Sequence, residues 1–180
     1  MTRSILTFFV VVTAVGFAAA AYAEQDLRNV GSLHAGMPFP DAPDFSSAYR
    51  QGFCGSADYA TRMNRKNEQL FVAGSVGYNR FRAKETGDAA EDWALWNVNA
   101  DARWYLQPPG EKFTGYVGLG PGLYGGPGGD TWFGGNVAAG ADYPLGGDWS
   151  ILLDIDQHWL ANATNGAFVT VRLGAAYWFR

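Results

Sequence analysis

The stretch FVTVRLGAAYWFR, residues 168–180, decides the reading of the chain. From Val169 every second residue is apolar or aromatic: Val169, Val171, Leu173, Ala175, Tyr177 and Phe179. Thr170, Arg172, Gly174, Ala176 and Trp178 stand between them. A period of two puts the two sets on opposite faces of one β-strand. One face suits an apolar surrounding. The other carries a full charge at mid-strand.

The same alternation recurs upstream, broken by turn-forming residues. It predicts eight strands, at about 29–37, 50–60, 69–82, 92–106, 113–124, 131–143, 149–160 and 166–179. No segment has helical periodicity. In the fourth strand, Ala94, Trp96, Val98, Ala100, Ala102, Trp104 and Leu106 oppose Leu95, Asn97, Asn99, Asp101, Arg103 and Tyr105. In the sixth, Phe133, Val137, Ala139, Ala141 and Tyr143 oppose Asn136 and Asp142. In the seventh, Trp149, Ile151, Leu153, Ile155 and Trp159 oppose Ser150, Asp154, Asp156 and His158. The first three strands are weaker. Leu33, Ala35 and Met37 are set against Ser32 and His34; Phe53, Ala57 and Tyr59 against Cys54, Ser56 and Asp58; Leu70, Val72, Val76 and Tyr78 against Ser75 and Asn79.

A soluble sandwich also alternates, with its apolar face inward. The aromatics separate the cases. Trp93, Trp96, Phe113, Tyr116, Trp132, Phe133 and Trp149 open strands; Trp104, Tyr105, Tyr124, Tyr143 and Trp159 close them. An up-and-down arrangement stacks these ends into two belts, as in membrane barrels. The polar faces hold Asp101, Arg103, Asp142, Asp154, Asp156, His158 and Arg172. Each would be costly alone in a dry core. Together inside one closed barrel they neutralise one another. Arg103 and Arg172 are therefore expected to pair with some of Asp101, Asp142, Asp154 and Asp156.

The connections fit this reading. Gln107–Lys112 and Leu145–Asp148 are short turns, while Pro38–Tyr49 and Ala83–Glu91 are longer and polar, and Gly125–Asp130 is rich in Gly and Pro. Short periplasmic turns and longer outer loops are expected of outer-membrane barrels. The long turn at Thr61–Glu68 and the short loop at Ala161–Gly166 run against the asymmetry.

Residues 1–23 read as a secretory signal peptide: Thr2-Arg3-Ser4, an apolar run from Ile5 to Ala20, and the small-x-small site Ala21-Tyr22-Ala23. Residues 24–180 then form one domain. The chain carries −4, and losing Arg3 with the leader brings this to about −5. No basic block suggests nucleic acid. A single cysteine, Cys54, excludes an internal disulfide framework.

Several runs carry a family resemblance: Gly77-Tyr78-Asn79-Arg80-Phe81, Trp96-Asn97-Val98-Asn99, Gly118–Tyr124 and Phe133–Gly140. With them the mature chain resembles the OmpA-like outer-membrane β-barrel superfamily. The last strand, with Val171, Leu173, Ala175, Tyr177 and Phe179, resembles the C-terminal signal that such proteins present to the barrel-assembly machinery. Arg180 departs from it by following the aromatic that usually comes last. The peptidoglycan-binding domain that often follows such barrels is not expected here.

Motifs with chemistry are few. Gly118-Leu119-Gly120-Pro121-Gly122 lies in a strand with no helix after it, so it is not a phosphate loop. Pro121 is expected at a bulge or near the strand's outer end. Asp154, Asp156 and His158 share a face and suggest a metal site or an acid/base pair. The favoured reading is a lumenal network with Arg103 and Arg172, with His34 too distant in sequence to place. Lipid A deacylase barrels carry a serine two residues after the catalytic histidine. Here Leu160 holds that position, and Thr164 is wrongly spaced. Asn162-Ala163-Thr164 matches a glycosylation sequon by chance, and Cys54 reads as a small packing residue.

The fold expected is all-β: an eight-stranded antiparallel up-and-down transmembrane β-barrel in the outer membrane. No catalytic, cofactor-binding or metal residues are assigned, and no cofactor. The expected partners are outer-membrane lipid and lipopolysaccharide, and the assembly machinery. The ligand of the loops is not legible. The expected role is structural or surface-interactive, in membrane integrity or adhesion. Alternatives are a narrow channel, a lipid-modifying enzyme, or a soluble periplasmic β-barrel binder.

Overall fold

The computed structural model describes residues 29–64, 67–85, 91–109, 112–161 and 166–179. Its eight strands are β1 (Asn29–Pro40), β2 (Tyr49–Asn64), β3 (Asn67–Ala83), β4 (Trp93–Tyr105), β5 (Thr114–Gly125), β6 (Thr131–Gly146), β7 (Trp149–Leu160) and β8 (Ala167–Phe179). They form a closed barrel in chain order, each strand antiparallel to the next. β1 closes on β8 in unbroken register from Asn29↔Phe179 to Pro40↔Phe168. Closure leaves no sheet edge, the condition for strands in lipid.

The alternation falls as the sequence predicts. Leu33 is 69% exposed, Leu119 66% and Leu173 59%, while Asp154 is 0% and Arg103 4%. The apolar face is the outer one, and the charges are inside.

The connections between strands sort to two ends. Residues 41–48, 84–92, 126–130 and 161–166 join strands at one end, which we call the outer end. Both terminal strand ends lie at the other, inner end. There β2 and β3 are joined by residues 65–66 alone, because pairing continues through Thr61↔Val72 and Arg62↔Phe71 to Asn64↔Asn67. The long turn expected at Thr61–Glu68 is thus mostly strand. Among the described residues the β1–β2 pairing ends at Asn29↔Thr61, while β2 and β3 pair on to Asn64↔Asn67. At the β6–β7 turn, Gly146 (φ 103°) and Gly147 (φ 63°) take left-handed backbone that suits glycine.

Of the two placements expected for Pro121, the structure has no bulge and sets it in the outer half of β5, exposed on the outer face. The β4–β5 register is the same on both sides, at Asn99↔Gly122 and Ala102↔Leu119, with the two pairs between them missing. A proline has no N–H to give that ladder. Gly120 answers the resulting approach: a Cβ there would lie 2.0 Å from the Ala100 carbonyl oxygen.

Candidate functional site

The polar side chains that the strands turn inward meet in one layer at mid-barrel. Arg103 on β4 donates through Nη2 to Asp58 Oδ2 on β2 at 2.7 Å, and Asp101 lies 3.7 Å from the same nitrogen. Arg172 on β8 donates to Asp156 on β7 and, at 2.6 Å, to Ser56 Oγ on β2. Thr170 also donates to Asp156, at 3.4 Å. His34 on β1 joins through two nitrogens. Nε2 lies 2.8 Å from Ser32 Oγ, and Nδ1 approaches Asp154 Oδ2 at 2.7 Å, outside aligned hydrogen-bond geometry. Gly174 makes that reach feasible, since a Cβ there would stand 2.5 Å from His34 Nδ1. Asp154 also accepts from the Tyr116 hydroxyl.

Aromatic clusters close the layer on both sides. At the inner end Phe71, Tyr105, Tyr116 and Trp178 pack with Val30, Leu152 and small residues. Rings meet at 5.1 Å for Phe71–Tyr105 and for Tyr105–Tyr116, and at 6.0 Å for Phe71–Trp178. Trp178 Nε1 donates to Ser150 Oγ at 3.1 Å, so the buried indole is satisfied. At the outer end Phe81, Leu95, Tyr124, Leu160 and Phe168 pack with Phe45. Phe45 comes from α1 (Pro43–Ala48), a short helix in the β1–β2 connection with Pro43 in its first turn and Asp44 beside it. Its ring meets Phe81 at 4.8 Å and Trp93 at 5.0 Å. The Lys84 ammonium donates to Ser46 O at 2.6 Å, tying the end of β3 to this helix.

The belts expected from the sequence are therefore half right. Trp104, Phe113, Tyr143 and Trp149 face outward near the inner end, and Phe53, Tyr78, Phe133 and Trp159 near the outer. Tyr105, Tyr116 and Tyr124 point into the lumen, and Trp93 and Trp132 pack against the outer cluster. The signal was present in β5: Val117, Leu119 and Leu123 fix its outward face, so Tyr116 and Tyr124 fall on the other.

Both arginines find expected partners, Arg172 in Asp156 and Arg103 in Asp101 at 3.7 Å. The chief partner of Arg103 is Asp58, which was not among those expected, and Asp142 pairs with neither arginine. His34 belongs to the layer, and His158 does not. His158 stacks on Phe168 (4.5 Å, 18°) and lies 3.1 Å from the Tyr124 hydroxyl, in the outer cluster. The proposed trio of Asp154, Asp156 and His158 is thus split. Among the described residues no cluster of His, Cys, Asp or Glu is placed to hold a metal ion. Leu160, where deacylase barrels carry serine, is buried in the outer cluster. Thr164, the sequon residues Asn162 and Ala163, the leader and Arg180 lie outside the described residues. Cys54 is buried on the lumen side.

On the outer rim, Asp92 accepts from the Ala83 backbone N–H at 3.0 Å and from Arg80 at 2.9 Å. These contacts, the backbone N–H first, hold its carboxyl below the usual carboxylate range.

Comparison with known proteins agrees with this architecture. The family described as outer membrane protein beta-barrel domain matches residues 8–179, and the chain belongs to it. No curated protein sequence matches it. Among solved structures, Neisserial surface protein A is 17% identical with a TM-score of 0.59, covering 84% of this chain and 95% of its own. Ail, the attachment invasion locus protein of Yersinia pestis, solved with the heparin analogue sucrose octasulfate, is 16% identical with a TM-score of 0.56, covering 86% and 100%. The outer membrane enzyme PagL is 13% identical with a TM-score of 0.50, covering 83% and 98%. At such identities the likeness shows the shared fold alone.

Proposed function

We propose that this outer-membrane barrel serves a structural or surface-interaction role, in membrane integrity or adhesion, and is neither a pore nor an enzyme. The observation that carries this reading is the filled lumen. A layer in which Arg103, Arg172 and His34 meet Asp58, Asp101, Asp154 and Asp156 lies between two aromatic clusters, which supports an interior filled by side chains. The apolar outer band speaks against a soluble binder, which keeps its apolar face inside. Two barrels of the same architecture are described as a surface protein and an attachment protein, which supports a role carried by the outer connections. The leader would direct export and be cleaved after Ala23, and the last strand would engage the assembly machinery.

The purified protein should leave a planar bilayer silent. Steady single-channel steps would replace this reading with the narrow channel. Overexpression should leave lipid A unchanged, whereas loss of an acyl chain would restore the enzyme reading. A heat-dependent gel shift after outer-membrane fractionation should accompany both results.

A further inference from the structure

We infer that the outer ends of β2 and β3 form a docking surface for the phosphate headgroup of a lipid in the surrounding leaflet. Arg50 and Arg82 are direct register partners on the two strands, and both are exposed. Arg80 stands two residues from Arg82 on the same face, also exposed. Like charges directly opposite on a ladder repel, with Cβ atoms about 5 Å apart. Among the described residues neither Arg50 nor Arg82 has an ion-pair partner within 4 Å; Asp92 fixes Arg80 and, from further off, also feels the Arg82 charge. At the inner end of the same strand pair the pattern is different: Arg62 faces Glu68 at 3.7 Å. An anion seated between Arg50 and Arg82 turns their repulsion into attraction.

The level of this cluster says what the anion is attached to. Phe53, paired with Arg80, and Tyr78 lie next along the outward face with rings 6.0 Å apart. Aromatic rings of this kind sit at the boundary between acyl chains and headgroups. Guanidinium groups immediately beyond that boundary meet headgroup phosphate, and their planar forks match its oxygens two at a time. The acyl chains then run along the apolar band below. A soluble phosphate would gain only the charged half of this surface.

The inference rests on the outer-membrane reading, and the test separates the two. The barrel, purified in a neutral maltoside detergent, is titrated with a diphosphorylated, acylated glucosamine disaccharide and with its dephosphorylated form. The phosphorylated lipid should bind more tightly, and the Arg50→Ala/Arg82→Ala double variant should lose about tenfold or more in affinity. An Arg62→Ala variant should bind as the parent does. A retained gel shift on heating shows that each variant is folded. Equal binding of both lipids, or full affinity in the double variant, overturns the docking surface. So does inorganic phosphate binding as tightly as the lipid. A protein recovered in the soluble periplasmic fraction breaks the membrane reading itself.

Discussion

The barrel is closed twice, and the two closures are built differently. The inner cluster is made of strand residues alone and is wired into the charged layer. Tyr116 donates to Asp154, and the Arg103 guanidinium lies 5.5 Å from the centre of the Tyr116 ring. The outer cluster borrows Phe45 from a six-residue helix in a connection. Its polar contacts are made by the Tyr124 hydroxyl, which donates to the Gly135 carbonyl at 3.2 Å and lies 3.1 Å from His158 Nδ1. An element held by the wall moves only if the wall does. One held by a short local segment can open by itself, because local unfolding follows contact density. The inner end is thus a floor built wholly on the wall, and the outer end a face built partly on a connection.

The sharpest test removes the charge that the inner cluster covers. Arg103→Leu leaves Asp58 buried without its main partner and should cost about 3–5 kcal/mol, read from urea unfolding in lipid vesicles. Arg172→Leu acts on Asp156 in the same way and should weaken resistance to detergent unfolding. A barrel indifferent to both changes would mean that the charged layer does not hold the floor together.

Trp178→Ala comes next. It removes a large ring from the inner cluster and the donor to Ser150, and about 3 kcal/mol should be lost. Phe45→Ala should cost less, at most about 2 kcal/mol, since the short helix can resettle over the mouth. Equal losses would erase the distinction between floor and face. The smallest effect belongs to Asp92. Its carboxyl is held low in the folded state, so what it contributes is present above its ordinary pKa of about 3.9. That contribution disappears as pH falls through the lowered folded value. The unfolding midpoints of the parent and Asp92→Asn should therefore differ slightly near neutral pH and converge in strong acid.

Much of the fold was legible because lipid imposes one rule on every strand. Leu33, Val117, Ile155 and Leu173 had to share an outward face, and the period of two showed it. The aromatics were harder. Position at a strand end suggested a belt for Tyr105, Tyr116 and Tyr124, but parity along the strand governs direction, and it turns them inward. The pairings were least legible. Alternation tells that Asp58, Arg103 and His34 face the lumen, not which of them meet. That depends on how far each strand is staggered against the next, and on a space as local as the one Gly174 leaves for His34. His158 shares a face with Asp154 and Asp156 yet sits among aromatics, because a strand that spans the barrel crosses more than one layer.

The stagger gives the charged layer a further role. A barrel wall can slip by two residues and still present every apolar side chain outward, so the lipid does not forbid the error. Asp58 with Arg103 and Arg172 with Ser56 cross the interior as spokes cross a wheel, joining strands that are not neighbours. A slipped rim would leave these spokes without ends to meet. The hydrogen bonds of the wall make the hoop. The spokes let it close at one setting.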